Sequence, residues 1–210
     1  MHKISKRIKE IAKLIPPQRK IADVGCDHGY LVMEAFDNNL IDYALLIDNK
    51  EKPLLSAKMN LEEYDDKKYS LSLSSGAESI TSNIECVCIL GMGGILITDI
   101  LSNKEKLKNV QKFILQPNKN SYEVRKFLME NGYKIINEKI IYDKKYYEVI
   151  VAVVGKAQYS ELELLYGPIN LKERTQNFKD YLKYKINLLK CTNSSNVLKK
   201  IKEMEDLLWK

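Results

Sequence analysis

The sequence predicts an α/β fold in which a seven-stranded, mostly parallel sheet is followed by a C-terminal α-helical hairpin. Between residues 20 and 131, short β-rich segments alternate with helix-length segments, and this alternation is typical of a parallel sheet covered by helices on both faces. The β-rich segments 133–142 and 146–154 are separated by only three residues, too few for a parallel crossover. They therefore predict an antiparallel hairpin that completes the sheet.

Composition places this chain of 210 residues among globular proteins. Charged residues make up 30% and hydrophobic residues 45% of the chain, which excludes a collagenous or wholly disordered protein. No apolar run approaches the roughly 20 residues of a membrane span, and the N-terminus lacks the pattern of a signal peptide. We therefore expect a cytoplasmic protein without a membrane segment. The sequence does not show the oligomeric state, and a monomer is expected. The four Cys and two His lack the spacing of a metal site, so no bound metal is expected.

Charge is unevenly distributed along the chain. Residues 1–20 hold seven basic residues and one acidic residue, residues 21–157 hold 17 and 20, and residues 158–210 hold 10 and 7. Basic ends around a mildly acidic centre favour contact with a polyanion such as nucleic acid. Lysine-rich solvated surfaces give the same counts, so the charge pattern alone leaves both interpretations open.

The first predicted element is an amphipathic helix. Ile4, Ile8, Ile11 and Ile15 recur at helical spacing with basic residues between them, and two prolines follow. One face of this helix is expected to pack on the sheet, while the other is positively charged.

The central elements follow from β-rich and helix-length runs. We predict strands at 20–24, 44–47, 69–73, 86–90 and 112–115, and helices at 30–38, 51–64, 94–101 and 121–131. In the last of these helices, Ser121 is a candidate N-cap and Gly132 follows the end. Beyond Gly155, apolar residues at helical spacing in 182–189 and 197–208 predict the helical hairpin, with a serine-capped turn at 191–196.

The segment D-x-G-x-D-x-G at positions 23–29 carries the strongest functional signal. It follows a predicted strand and opens a predicted helix, where glycines allow close approach of a ligand and free N–H groups are available. An acid within the turn would repel a pyrophosphate. Asp23 and Asp27 therefore favour S-adenosylmethionine (SAM), with its ammonium and sulfonium groups, over NAD. The alternative is a tight turn with incidental acids.

Four further strand ends are expected near the same pocket. Asp48 ends the second strand, where a carboxylate accepts hydrogen bonds from ribose hydroxyls, although a helix N-cap role is compatible. The segment 74–78 after the third strand is expected beside the ligand's adenine, and the glycines of 91–94 beside the reacting centre. Gln116 and Asn118, after the fifth strand, suit a base edge or a polar turn equally well.

Two aromatic or imidazole features receive no functional role from the sequence. His28, at the start of a predicted helix, is interpreted as a structural hydrogen-bonding residue. Tyr146 and Tyr147, on the last strand, are interpreted as core and edge packing because the chain holds 13 tyrosines.

Taken together, these motifs resemble the bacterial tRNA adenine-22 N1-methyltransferases, class I SAM-dependent methyltransferases with a Rossmann-like seven-stranded sheet whose last strand is antiparallel. The resemblance rests on D-x-G-x-D-H-G-Y at 23–30, G-M-G-G at 91–94, L-Q-P-N at 115–118, Y-E-V-I-V-A at 147–152 and the basic helical C-terminus. It implies SAM as methyl donor, tRNA as substrate and N1 of a D-arm adenine as acceptor. It also implies a methyltransferase domain at 1–157 and a tRNA-assisting helical hairpin at 158–210.

Site residues are assigned from these motifs and from the resemblance. The expected SAM-binding residues are Asp23, Gly25, Cys26, Asp48, Asn49, Ser75, Gly76, Ala77, Gly91 and Met92. The expected catalytic residues are Asp27 and Asn118, and the expected substrate-binding residues are Lys6, Arg7, Gly93 and Gln116. Family members tend to carry Gly-Asp-Gly where this chain has residues 75–77, so the acid expected beside the adenine of SAM is missing. Either SAM affinity is lower, or Ser75 or Glu78 takes the place of that acid.

Two other functions are weighed against this one. A dehydrogenase would need G-x-G-x-x-G and no acid in the turn, and the chain meets neither requirement. A methyltransferase-like RNA-binding protein without catalytic activity would keep the basic ends but would not need Asp23, Asp27 and Asp48, which are all present.

Overall fold

The computed structural model describes residues 4–17, 19–190 and 194–209. Residues 191–193, which belong to the predicted turn between the last two helices, lie outside the described residues. Among the helices of these described ranges, none combines the length and apolar character needed to cross a membrane.

Seven strands form one sheet, as predicted. They are β1 (Arg19–Val24), β2 (Ile41–Asp48), β3 (Tyr69–Leu73), β4 (Cys86–Gly93), β5 (Lys112–Lys119), β6 (Tyr133–Asp143) and β7 (Lys145–Val154). Their order in space is β3-β2-β1-β4-β5-β7-β6. Strand β7 runs antiparallel to both β5 and β6, whereas the pairs from β3 to β5 are parallel. The predicted hairpin is confirmed, and Lys144, with φ of 63°, forms its turn.

Ten α-helices and a 3-10 helix at Asp66–Lys68 accompany the sheet in the described residues. The α-helices are α1 (Lys6–Ala12), α2 (Tyr30–Asp37), α3 (Glu51–Asn60), α4 (Gly94–Leu101), α5 (Lys104–Leu107), α6 (Ser121–Glu130), α7 (Glu161–Tyr166), α8 (Pro168–Glu173), α9 (Gln176–Leu189) and α10 (Ser195–Trp209). Apolar residues pack in two clusters that alternate along the strands: Ile21 belongs to the cluster with α1, α2 and α3, and Ala22 to the cluster with α4 and α6. This alternation is what a sheet covered on both faces requires.

The predicted N-cap of α6 is wrong. Asn120, not Ser121, occupies the cap position, in a left-handed conformation with φ of 62° and no side-chain cap hydrogen bond. The carbonyl oxygen of Asn120 packs against Gly94, where any Cβ would collide with it. Tight packing of the β5–α6 loop on the start of α4 therefore overrides the local capping preference of Ser121.

The C-terminal helices form a hairpin, and they also pack on the sheet. Phe178 and Leu182 of α9 share an apolar cluster with Ile201 of α10 and with Ile140 of β6. Ser194 caps α10 by accepting a hydrogen bond from the backbone N–H of Val197 at 3.4 Å. Two short helices, α7 and α8, precede the hairpin, a feature that the sequence pattern did not predict.

Candidate active site

The order of the strands creates a cavity at one end of the sheet. The chain leaves β1 toward β2 on one side and later returns to β4 on the other, and ligands bind at such a reversal, at the carboxyl ends of the strands. A cavity of about 700 Å³ lies there. A second cavity of about 130 Å³ adjoins it and shares Gly25, Asp48, Asn49 and Met92 with it.

The β1–α2 turn forms the floor of the larger cavity through an unusual backbone path. Gly25, Asp27 and Gly29 all have left-handed φ values, of 76°, 50° and 71°. A Cβ at Gly25 would collide with the Met92 side chain. Asp27 is the non-glycine residue among the three, and non-glycine residues held in this region cluster at functional sites. Its carboxylate is exposed and lies 3.5 Å from Nε2 of His28.

Three carboxylates surround the larger cavity. Asp23 is buried, with 4% of its surface exposed, whereas Asp27 is exposed and Asp48 lies at the carboxyl end of β2. Burial, followed by the charges of Asp48 and Asp27, raises the pKa of Asp23 to about 7, while Arg7 acts in the opposite direction. A cationic ligand in the cavity would relieve this repulsion, so these residues fit a ligand with ammonium and sulfonium groups.

Asp48 does not serve as the N-cap of α3, which was one of its two possible roles. Lys50 occupies the cap position, and Oδ1 of Asp48 accepts a hydrogen bond from the backbone N–H of Lys50 at 3.0 Å. That contact orients the carboxylate at the cavity wall, where a hydroxyl of a bound ligand can donate to it.

Cys26 lines the larger cavity as a buried thiol. Its pKa is raised by burial and by the charges of Asp23 and Asp48. The thiol therefore stays protonated and contributes apolar surface to the cavity wall.

Side chains of β4, β5 and α1 form the opposite wall. Gly91 interrupts the pairing of β4 with β5 and has φ of 74°. Nδ2 of Asn118 donates to the Gly91 carbonyl oxygen at 2.6 Å, and Nε2 of Gln116 donates to Oδ1 of Asn118 at 3.1 Å. Nη1 of Arg7 in turn donates to Oε1 of Gln116 at 2.6 Å. A continuous hydrogen-bonded chain therefore links α1 to β4.

Most of the predicted site residues come together at these two cavities. Those that line the larger one are Arg7, Asp23, Gly25, Cys26, Asp27, Asp48, Asn49, Gly91, Met92 and Asn118. Ser75 and Gly76 line the smaller one.

Four predicted residues lie outside the walls of both cavities. Gln116 is completely buried behind Asn118, and Ala77 is buried in the apolar cluster under α4. Gly93 lies beside Lys119, and Lys6 lines a separate cavity between α1 and β6. The glycines of G-M-G-G also divide by role, because Gly91 faces the cavity whereas Gly94 is required for packing against Asn120.

The sequence did not assign ten of the residues that line the larger cavity, among them His28 and two residues of β7. Tyr147 and Lys145 of β7 line it, and the Arg7 guanidinium carbon lies 4.9 Å from the centre of the Tyr147 ring. Tyr146 points to the other face of the hairpin, where it packs against Tyr142 and Tyr181 as expected for a packing residue. The alternation of side chains along a strand is the signal that separates Tyr147 from Tyr146.

Within residues 4–17, 19–190 and 194–209, no group of three or more His, Cys, Asp or Glu side chains is placed to hold a metal ion.

Comparisons with known proteins identify close relatives. Residues 4–150 match the family model described as a methyltransferase domain. The tRNA (adenine(22)-N(1))-methyltransferase of Bacillus subtilis (strain 168) is 36% identical over 186 residues, which cover 84% of this chain and 78% of that protein.

Two solved structures extend the likeness to the whole fold. Streptococcus pneumoniae Sp1610, in complex with S-adenosyl-L-methionine, matches with a TM-score of 0.92 at 30% identity, covering 98% of this chain and 100% of that chain. TrmK of M. capricolum, in complex with S-adenosyl-homocysteine, matches with a TM-score of 0.79 at 29% identity, covering 99% and 95%. The C-terminal helices are therefore included in these matches.

Proposed function

Because the chain belongs to the bacterial tRNA (adenine-22 N1)-methyltransferase family, we propose that it transfers a methyl group from SAM to N1 of an adenine in the D arm of tRNA. The observation that carries the proposal is the group of three carboxylates, Asp23, Asp27 and Asp48, around one cavity at the carboxyl ends of β1 and β2. That arrangement suits a methyl donor that carries an ammonium and a sulfonium group.

The two cavities divide the expected contacts with SAM. When bound, SAM supplies a methyl group on a sulfonium, and neutral adenine N1 accepts it through its lone pair. Asp23 and Asp27 would lie near the positive groups and Asp48 near the ribose hydroxyls, while Ser75 and Gly76 border the smaller cavity. Glu78 is exposed and lies outside both cavity walls. Ser75 is therefore the better candidate for the position of the missing acid.

Asp27 and Asn118 are the residues that we assign to the target base. Positive charge moves onto the adenine as N1 is methylated, and a carboxylate near the 6-amino group stabilises that charge. Asp27 has its exposed carboxylate at the cavity wall. Asn118 lies across the cavity with its amide oriented by Gln116 and Gly91. Together they would hold the base in line with the donor.

tRNA must reach this cavity with the target base out of its stack. N1 lies on the Watson–Crick edge of adenine, so the base is extruded at a cost of a few kcal/mol. We assign phosphate contacts, which offset that cost, to the basic helix α1, including Lys6 and Arg7, and to the C-terminal segment 158–210. We also propose that the protein acts in the cytoplasm as a monomer.

The direct test is methylation of a defined tRNA. We expect incubation of the protein with SAM and an unmodified tRNA transcript that has adenine at position 22 to yield 1-methyladenosine at that position, mapped by mass spectrometry of nuclease fragments. A transcript with guanine at position 22 is the control. If the protein binds tRNA and SAM but methylates neither transcript, the non-catalytic RNA-binding function is correct instead.

Replacing Asp48 by Ala tests the ribose contact. We expect Asp48→Ala to weaken SAM binding by about 1 to 3 kcal/mol, because a charged acceptor of hydrogen bonds is lost. Calorimetric titration with SAM measures the change. Asp42→Ala, at the opposite end of β2, is the matched control and should bind SAM as the wild type does. Unchanged SAM affinity in Asp48→Ala would refute the ribose role.

The raised pKa of Asp23 predicts that SAM binding depends on pH. Because the pKa of Asp23 in the ligand-free protein is about 7, its ionised form is the minor species at pH 6, and SAM affinity there should be about tenfold below its limit at higher pH. The same shift means that Asp23 destabilises the ligand-free fold progressively as pH rises from about 4 through 7.

Two variants isolate Asp23 from the other groups that face the cavity. Asp23→Asn should remove this pH dependence, whereas His28→Gln should retain it. Titration of the ligand's own ammonium group contributes equally in all three proteins. The assignment is wrong if wild-type affinity is flat between pH 6 and pH 7.5 or if Asp23→Asn keeps the wild-type profile.

A further inference from the structure

The hydrogen-bonded chain from α1 to β4 has a defined direction. An arginine guanidinium donates hydrogen bonds and cannot accept them, so the Gln116 atom that faces Arg7 must be the carbonyl oxygen. The other end of the same amide is then a donor, and it faces Oδ1 of Asn118. Asn118 consequently turns its Nδ2 toward the Gly91 carbonyl oxygen, to which it donates at 2.6 Å. The orientation of both amides therefore follows from Arg7.

Arg7 itself is held from three directions. Its backbone N–H donates to Oδ2 of Asp143 at 2.9 Å, its Nη1 contacts Gln116, and its guanidinium carbon lies 4.9 Å from the centre of the Tyr147 ring. The side chain thus joins Gln116 of β5 to Tyr147 of β7, while the backbone of the residue is tied to Asp143 at the end of β6. A side chain that only attracted phosphate groups would not need this degree of fixation.

Because Gln116 is buried, reversing the direction of the hydrogen bonds from Arg7 to Gly91 is costly. Gln116 is completely buried, so its amide cannot replace a lost partner with bulk water. If Gln116 presented only acceptors to Asn118, the Asn118 amide would turn over, and its oxygen would then face the carbonyl oxygen of Gly91. Two acceptors would oppose each other at the position where β4 bulges into the cavity.

We propose that Arg7 is a positioning residue, which sets the direction of the Gln116 and Asn118 amides and thereby the group that Asn118 presents to the target base. This role is separate from the phosphate contact assigned to Arg7 above, because here Arg7 acts through Gln116 and Asn118, and its effect persists when tRNA is saturating. The proposal rests on the proposed function, since it concerns how the same cavity receives the adenine.

Gln116→Glu is the variant that reverses the direction of the hydrogen bonds between Arg7 and Gly91 while it preserves the packing of the side chain. A glutamate at this position accepts from Arg7 in a charge-assisted hydrogen bond, so the contact between α1 and β5 is kept. However, an ionised carboxylate cannot donate to Asn118. We expect the single-turnover rate of methyl transfer, with SAM and tRNA both saturating, to fall by about tenfold or more, while the thermal unfolding midpoint stays near that of the wild type.

Gln116→Met is the matched variant that removes the hydrogen bonds of residue 116 without reversing their direction. It keeps the approximate volume of the side chain and leaves Asn118 free to keep its contact with Gly91, so its rate should lie between those of the wild type and Gln116→Glu. A purely structural role for Gln116 predicts the opposite order, because Gln116→Met loses the contact with Arg7. A wild-type rate in Gln116→Glu, or a lower rate in Gln116→Met than in Gln116→Glu, would overturn the proposal.

A double-mutant cycle tests Arg7 directly. If Arg7 acts through Gln116, combining Arg7→Met with Gln116→Met should reduce the single-turnover rate no further than the more severe single variant. Independent effects that multiply would show that Arg7 acts on tRNA separately. Wild-type methylation at adenine 22 is measured first, so failure of the proposed function is distinguished from failure of this inference.

Discussion

We expect Asp27→Asn to lower the single-turnover rate of tRNA methylation by about 100-fold, which corresponds to about 2.7 kcal/mol of lost transition-state stabilisation. The substitution removes the charge and keeps the size of the side chain. It also suits the backbone, because Asp27 has φ of 50° and asparagine adopts this left-handed conformation readily. The effect should therefore come from the missing carboxylate and not from a displaced turn.

Loss of this charge near a sulfonium also weakens SAM binding, so the assay must separate the two effects. A role limited to SAM binding is rescued at saturating SAM, whereas a role in the transition state is not. Asp42→Asn, which removes an exposed carboxylate at the start of β2, is the matched control and should retain the wild-type rate. If Asp27→Asn reaches the wild-type rate at saturating SAM, Asp27 belongs only to the SAM pocket.

The fold was predictable because local patterns and connection lengths determine it. The three residues between the last two β-rich segments require an antiparallel pair, and β6 and β7 form that pair. Strand limits were less accurate: β4 and β5 extend three and four residues beyond the predicted ends, to Gly93 and Lys119. These extensions contain glycine and proline, which are not typical of strands, so the sequence pattern did not predict them. The two strands pair irregularly there, around Gly91.

The candidate site was predictable where the backbone itself forms it. Glycines and acids in the β1–α2 turn are local signals, and they identified Asp23, Gly25 and Asp27 correctly as cavity residues. Alternation along β7 places Tyr146 and Tyr147 on opposite faces, but it does not show which face lines the cavity. That depends on α1 packing across the hairpin, through a contact between residues 140 positions apart along the chain. Gln116 was assigned to the base, but its burial behind Asn118 depends equally on Arg7 from α1. Contacts between residues far apart in the sequence produce no local pattern from which they can be predicted.

A buried ion cluster, which the sequence did not reveal, joins the C-terminal helices to the sheet. Arg125 of α6 is completely buried between two glutamates: its Nε donates to Glu138 of β6 and its Nη2 to Glu148 of β7, both at 2.7 Å. Nη1 donates to the Leu164 carbonyl oxygen of α7 at 3.2 Å, and Tyr181 of α9 donates to Glu148 at 2.6 Å. Burial acts to raise the pKa of Glu148, but Arg125, Lys185 and the hydrogen bond from Tyr181 together lower it below its ordinary value.

This cluster changes what a truncation experiment can show. Oε2 of Glu138 accepts from the backbone N–H of Ile169 at 2.9 Å, so deleting residues 158–210 would remove partners from buried charges as well as the proposed tRNA-binding surface. Independence of the two predicted domains stays a prediction, and point substitutions on the exposed faces of α9 and α10 test the tRNA role more cleanly than deletion.

We expect Arg125→Met to lower the free energy of unfolding by about 3 to 5 kcal/mol, because it leaves Glu138 and Glu148 buried without their cation. Urea denaturation at pH 7.5 measures the change. Lys126→Met removes the same charge from the next position of α6, where the side chain is partly exposed, and should change stability by no more than about 0.5 kcal/mol.

The pH dependence of Arg125→Met distinguishes unpaired charge from lost packing. In the wild type, burial already raises the pKa of Glu138 despite Arg125, whereas the pKa of Glu148 is lowered. Without Arg125 we expect both pKa values to rise, so the folded variant binds protons more tightly than the folded wild type. The stability deficit of the variant should therefore shrink as pH falls from 7.5 toward 5. A cavity or packing defect gives a deficit that is the same at both pH values. Two outcomes would contradict this prediction: a loss in free energy of unfolding below about 1 kcal/mol relative to the wild type, or a loss that does not shrink at low pH. In either case the ion cluster does not hold the C-terminal helices on the sheet in the way that its geometry indicates.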